Sequence, residues 1–279
     1  MNPDLKKSKE FETYFNTQLS TIEKALDRFL PLATHAPQKI HEAMRYSVLQ
    51  GGKRIRPLLA LTVCEMLGGD TNEVLIPACA VEFIHSYSLI HDDLPCLDND
   101  EFRRGQLTCH KKFGEPIALL AGDALQTLAF SILSEMKNAQ IAQRILRELA
   151  RAAGTFGMVG GQVLELVSRK EEMDLPDLER IHIQKTGQLI KTSCLIGAVV
   201  SGADQAAEGH VARFGEYLGL AFQIVDDILD ADGFLRFMSA HEVKEKAAEL
   251  VSKAKQELAG FSRQAHLARM ADFILDREQ

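Results

Sequence analysis

The sequence predicts an all-α fold, and three observations carry that prediction. The eight prolines all lie at or before Pro176, so residues 177–279 contain no helix breaker. Apolar residues recur at three- and four-residue spacing along most of the chain, while the two-residue alternation of a half-buried strand is nowhere sustained. Asp232-Gly233 is the single Asn/Asp-Gly hairpin signal, and it follows a helical pattern rather than a strand.

With 46% hydrophobic and 25% charged residues, the 279-residue chain has ample material for a packed core. No linker-like stretch divides it and no repeat of about 20–50 residues stands out, so residues 1–279 are expected to form one domain, a bundle of about ten or more helices. The first helical pattern covers 7–29, and Pro31 and Pro37 separate it from 38–50. Gly51-Gly52 ends the second, and 56–67 follows with Pro57 at its start. The segment 73–93 should stop just after Asp93, because Pro95 has no amide to donate and disfavours helical geometry at Leu94. Further patterns cover 115–135, 138–153 and 157–169. Asp174, Pro176 and Asp177 supply a capping carboxylate, an early proline and acid in the first turn for a helix over 177–201. The last three patterns are 204–231, 237–259 and 262–277.

Charge narrows function. The formal balance is 32 − 39 = −7, which excludes a nucleic-acid coat or a basic membrane-surface protein, since both need a positive field. Any anionic ligand must be held by local cations or by bound metal. No uninterrupted apolar run approaches the roughly 18 residues of a membrane span, and Met1 to Glu10 lacks the apolar core of a signal peptide. Five cysteines without a C-x-x-C pair support neither a disulfide framework nor a thiolate zinc site. The expected compartment is the cytoplasm, with no membrane insertion and no nucleic acid.

Two acidic clusters stand out. In His91-Asp92-Asp93-Leu94-Pro95-Cys96-Leu97-Asp98, the paired carboxylates fall at a helix C-terminus, where the helix dipole is already negative. A bound cation explains that placement better than stability does. In Gln223-Ile224-Val225-Asp226-Asp227-Ile228-Leu229-Asp230, Asp226 and Asp230 share one helix face and repel unless something positive lies between them. Oxygen ligands with little sulfur or imidazole nearby suit a hard cation, and Mg²⁺ is commonly held by one or two carboxylates plus substrate phosphates. Gly51-Gly52-Lys53-Arg54-Ile55-Arg56-Pro57 sets three cations beside flexible glycines at a helix start, and Arg103-Arg104-Gly105 follows the first acidic cluster. Both runs suit phosphate oxygens. The residues alone therefore describe a metal-dependent site for a diphosphate in an all-α protein.

At these residues the chain resembles the trans-isoprenyl diphosphate synthases, most closely the bacterial farnesyl-forming members. Glu82 to Asp100 with Arg103-Arg104-Gly105 resembles the family's first aspartate-rich motif almost position for position. Gly51 to Pro57, Ala121 to Leu125, Gly161-Gln162, Lys185-Thr186-Gly187 and Phe222 to Asp230 resemble the other family blocks in order. The resemblance implies the isoprenoid synthase fold, a helical bundle around a central cavity, and a Mg²⁺-dependent enzyme in which Mn²⁺ can substitute. It would join isopentenyl diphosphate to dimethylallyl or geranyl diphosphate and give farnesyl diphosphate. It implies Asp92, Asp98 and Asp226 as metal ligands, with Asp93 and Asp230 as further candidates. Arg103, Lys185, Thr186 and Gln223 would contact the allylic diphosphate, and Lys53, Arg56, His85 and Arg104 the isopentenyl diphosphate. Tyr87 and Ser88, just before the first motif, would limit chain length. A homodimer is implied as well.

The chain departs from the family after its second motif, where a loop with a Gly-Lys element usually closes over the diphosphate. Here Gly233 runs straight into Phe234, and a loop's worth of residues is expected to be missing at 233–234. Geranylgeranyl diphosphate is the alternative product. A di-iron carboxylate bundle is the alternative of another class, because Glu82-x-x-His85 and Glu179-x-x-His182 supply two Glu-x-x-His pairs. That reading leaves both aspartate clusters and the arginine pair unexplained.

Overall fold

The computed structural model describes residues 3–168 and 173–277, with side chains from residue 9 onward. It is all-α apart from one short hairpin. The helices are α1 (Pro3–Phe29), α2 (Gln38–Leu49), α3 (Ile55–Met66), α4 (Thr71–Asp92), α5 (Cys109–Phe113), α6 (Glu115–Leu133), α7 (Ala139–Ala153), α8 (Met158–Ser168), α9 (Leu175–His182), α10 (Gln188–Ser201), α11 (Gln205–Asp230), α12 (Ala240–Glu257) and α13 (Ala265–Leu275). A π-helical turn, Ile183–Gly187, joins α9 to α10, and a 3₁₀ turn, Gly233–Arg236, precedes α12.

The predicted boundaries have visible causes. Helix α4 stops at Asp92, three residues before Pro95. The Asp174 carboxylate caps α9 by accepting from the Asp177 amide at 2.9 Å. Asp204 caps α11 in the same way through the Ala207 amide, and Ser239 with Glu242 forms a reciprocal capping box at α12. Two features differ from expectation. The pattern 177–201 is broken by the π turn, and residues 101–108 carry a hairpin whose strands β1 (Phe102–Arg103) and β2 (Gln106–Leu107) pair antiparallel. Arg104 and Gly105 form its turn with φ of +53° and +74°, a left-handed pair that suits a two-residue hairpin.

The residues cluster into two compact units. The first comprises Met1–Leu58 and Leu75–Ala142, and the second Leu59–Val74 and Gln143–Gln279. In the first, α6 packs on α2 and α5. Helix α4 contributes Phe83, Ile84, Tyr87 and Ile90 to the interior, which explains why a helix apolar enough to span a membrane is 67% buried over its apolar window. In the second unit, α11 packs against α10 and α12 and presents Phe214, Leu218, Ala221 and Ile224 to the core.

Candidate active-site residues

In the first unit, the end of α4 organises the first acidic motif. After Asp93 the chain turns back so that the Asp98 amide donates to the Asp92 carbonyl at 2.9 Å, which returns the third aspartate to the first. Asp92 is half-buried and Asp98 exposed. Asp93 points inward and is 3% exposed. It is held by Arg103, whose Nε and Nη2 lie 2.7 and 2.6 Å from Oδ1. Burial nevertheless raises the Asp93 carboxyl above its ordinary range, with Arg103 pulling the other way.

The cationic run beside Gly51-Gly52 splits into two roles. Arg54 is buried and structural: it donates to Glu23 at 2.7 Å, to Glu82 at 2.9 Å and to the Val48 carbonyl at 2.5 Å. Lys53 is exposed, and Arg56 is 9% exposed. Arg104 donates to the Gly51 carbonyl, and a Cβ on Gly52 would lie 2.7 Å from the Arg104 guanidinium. Gly52 itself has φ of +125°, a conformation that favours glycine. His85 feels four guanidiniums; burial first, then Arg56, Arg104, Arg54 and Arg103, holds it well below the usual imidazole range. Arg104 is itself lowered, by burial and then by Arg54. Mutual repulsion of this kind marks a place short of anions.

Tyr87 and Ser88 lie one turn before the motif. The Ser88 hydroxyl donates back to the His85 carbonyl at 2.9 Å. Tyr87 is 5% exposed, and burial pushes its phenol up to about 12 while Gln126 pulls it down. Its ring meets His91 edge-on at 5.6 Å. His91 in turn bonds the Leu119 carbonyl at 3.0 Å and lies over Gly122, where a Cβ would come within 2.1 Å of the imidazole. Tyr87 is therefore braced from α6 through a histidine that requires a glycine.

In the second unit, Lys185, Thr186, Gln223 and Asp230 line one cleft of about 750 Å³. The π turn carries Lys185 and Thr186, and it fits because small residues face it. A Cβ on Gly161 would lie 2.3 Å from the Lys185 amide, and one on Gly219 would lie 2.8 Å from the Gly187 Cα. π turns inside α-helices often mark functional sites. Lys185 donates to Glu165 at 2.5 Å. Asp226, on α11, pairs with Arg277 at 2.7 Å and is not among the residues lining the cleft.

Four residues of this unit were given no site role by the sequence. Asp227 is 8% exposed, and its Oδ2 accepts from His182 Nε2 and from the Phe234 amide, both at 2.9 Å. Phe234 is fully buried and stacks on His182 at 5.6 Å. Gly233 has φ of +57°, and a Cβ there would lie 2.0 Å from the Asp227 carboxylate. The Gly233–Phe234 junction is thus a tight connector folded onto Asp227. Arg277 is the fourth. Adjacent aspartates were a signal for Asp227; nothing local in the sequence announces Arg277.

Residues 37–236 match the polyprenyl synthetase family. The chain belongs to that family. It is a prenyl-transferring enzyme of isoprenoid biosynthesis with the all-α isoprenoid synthase fold. Among polyprenyl synthetase relatives, it is 42% identical over 300 aligned residues to heterodimeric geranylgeranyl pyrophosphate synthase large subunit 1 of Arabidopsis thaliana, covering 96% of this chain and 80% of that one. It is 40% identical to the chloroplastic geranylgeranyl pyrophosphate synthase of Capsicum annuum, over 96% of this chain and 79% of that one. An apo crystal structure of an FPP/GFPP synthase from Zymomonas mobilis superposes with a TM-score of 0.91 at 37% identity, covering 95% and 99% of the two chains.

Proposed function

We propose that this polyprenyl synthetase condenses isopentenyl diphosphate with dimethylallyl and then geranyl diphosphate, and that it releases farnesyl diphosphate. The observation that carries the product assignment is Tyr87. It lies five residues before Asp92, about 7.5 Å along the helix axis at 1.5 Å per residue, with its ring buried and braced by His91. A tail growing away from the first motif meets that ring. Replacing Tyr87 by Ala should lengthen the product toward C20 and beyond, read as chain length by chromatography of the dephosphorylated products. An unchanged product would remove the support for C15. Geranylgeranyl diphosphate is the second reading, favoured by the names of the plant relatives.

The donor set fits Mg²⁺. Asp92, Asp98, Asp226 and Asp230 offer hard oxygens, and all four are half-buried or exposed. Among the described residues no group of three His, Cys, Asp or Glu is gathered to hold a metal alone, which suits an ion that takes the rest of its ligands from substrate phosphates. Bound Mg²⁺ supplies Lewis-acid neutralisation of the departing diphosphate. Lys185, Thr186 and Gln223 bind and orient the allylic diphosphate, with Arg103 as a further contact. Lys53, Arg56, Arg104 and the neutral His85 hold isopentenyl diphosphate.

A cytoplasmic homodimer completes the reading. The five cysteines are free and four are buried, as suits a reducing compartment. Helix α6 exposes Leu119 and Leu120, while Phe156 and helix α8 expose a stripe with Val159, Val163 and Val167; such faces suit a second subunit.

A further inference from the structure

We propose that Arg277 sets how much divalent metal the second acidic motif requires, by standing as the resident counter-cation of Asp226. The inference rests on the reading of Asp226 as a metal ligand. Arg277 lies two residues beyond α13, and its Nη2 is 2.7 Å from Asp226 Oδ1. Its side chain is 9% exposed and that of Asp226 26%, so this is not a solvent-screened surface pair. The guanidinium carbon also lies 4.4 Å from the centroid of the Phe222 ring. Phe222 and Asp226 are four residues apart on α11 and share a face. One arginine therefore occupies two neighbouring positions of that face, the second being the carboxylate itself.

The chemistry of such an arrangement is competitive. A carboxylate oxygen bonded to a guanidinium has lost part of its capacity for Mg²⁺, which needs short, well-directed oxygen contacts and dehydrates reluctantly. A half-buried carboxylate one helical turn from Asp230 on α11 would otherwise be short of positive charge; Arg277 supplies it when no metal is present. The Phe222 contact holds the guanidinium at the motif and shields it from water, which strengthens the competition. Charge-assisted bonds of this kind shift an equilibrium by roughly tenfold or more when removed.

The test is calorimetric titration of inorganic pyrophosphate into the full chain at graded Mg²⁺ concentrations, without catalysis as a readout. Wild type, Arg277→Gln and Arg277→Lys would be compared, each checked for helicity, together with Asp226→Asn and the double variant Asp226→Asn/Arg277→Gln. Expected is a fall of roughly tenfold in the Mg²⁺ needed for half-maximal pyrophosphate binding in Arg277→Gln, an intermediate fall in Arg277→Lys, and no effect of Arg277→Gln once Asp226 is Asn. An unchanged or increased Mg²⁺ requirement in Arg277→Gln would overturn the proposal. So would an equal effect of that substitution in the Asp226→Asn background, since Arg277 would then act elsewhere. If pyrophosphate bound wild type without regard to Mg²⁺, the metal reading of the motif would itself fail.

Discussion

The two aspartate pairs solve one problem in two ways. In each, the first aspartate is half-buried, while the second is buried and committed to structure. Asp93 is committed by charge: a guanidinium from the β-hairpin meets it at 2.6 Å. Asp227 is committed by shape, with an imidazole, a backbone amide and a close glycine around one carboxylate. The first unit gathers arginines around a depressed histidine, whereas the second lines its cleft with four carboxylates, from Glu165, Asp227, Asp230 and Asp232, against the two cations Lys185 and Arg236. On the proposed reading, a paired-aspartate motif carries two jobs at adjacent positions, one for the ligand and one for the loop that follows.

The largest effects should come from the half-buried partners. Asp92→Ala and Asp226→Ala should each lower turnover by about a hundred- to a thousandfold, on the scale of removing one electrostatic stabiliser of a developing charge, with helicity unchanged. Neither substitution removes core volume. Near-normal condensation by either purified variant would show that the half-buried position is not the ligand.

The buried partners should separate charge from shape. Asp227→Ala leaves His182 and the Phe234 amide without their acceptor and should cost about 2–4 kcal/mol of stability, while Asp227→Asn, which keeps an oxygen for the amide, should cost under about 1 kcal/mol. Asp93→Asn keeps the shape but removes the charge facing Arg103, and should cost about 1–3 kcal/mol. Urea denaturation midpoints of the three variants decide the matter. Equal losses for Asp93→Asn and Asp227→Asn would erase the distinction.

How much of this was legible in the sequence follows from what local rules can see. Pro95 stopped α4 where expected, and Asp174 capped α9, because both act within one turn. The π turn at 183–187 was invisible: one extra residue in a turn leaves apolar spacing nearly unchanged, and its cause is three glycines, two of them on other helices. The hairpin was missed because its turn is Arg104-Gly105 rather than Asn-Gly or Asp-Gly, and its strands are two residues each. Candidate site residues inside compact motifs stand out as a set, because they are neighbours along the chain. Asp226–Arg277 and His182–Asp227 do not, since each joins residues more than forty apart that only packing brings together.

The smallest expected effect probes the arginine-rich side of the comparison. Burial and four guanidiniums hold His85 below its ordinary pKa, so the unfolded chain binds this proton more readily than the folded one. Stability from this group is therefore present above the usual imidazole range and falls as pH drops through it. A diphosphate arriving among Lys53, Arg56 and Arg104 adds negative charge beside the imidazole and raises its pKa, so binding at about pH 6 should take up a fraction of one proton. Pyrophosphate carries titrating groups of its own, and the comparison with His85→Gln subtracts them. Calorimetry in buffers of different ionisation enthalpy should show less proton uptake for the variant than for wild type, with affinity changed by less than about tenfold. Identical uptake in both proteins would place the bound anion away from His85, and the assignment of that histidine to the isopentenyl diphosphate site would fall.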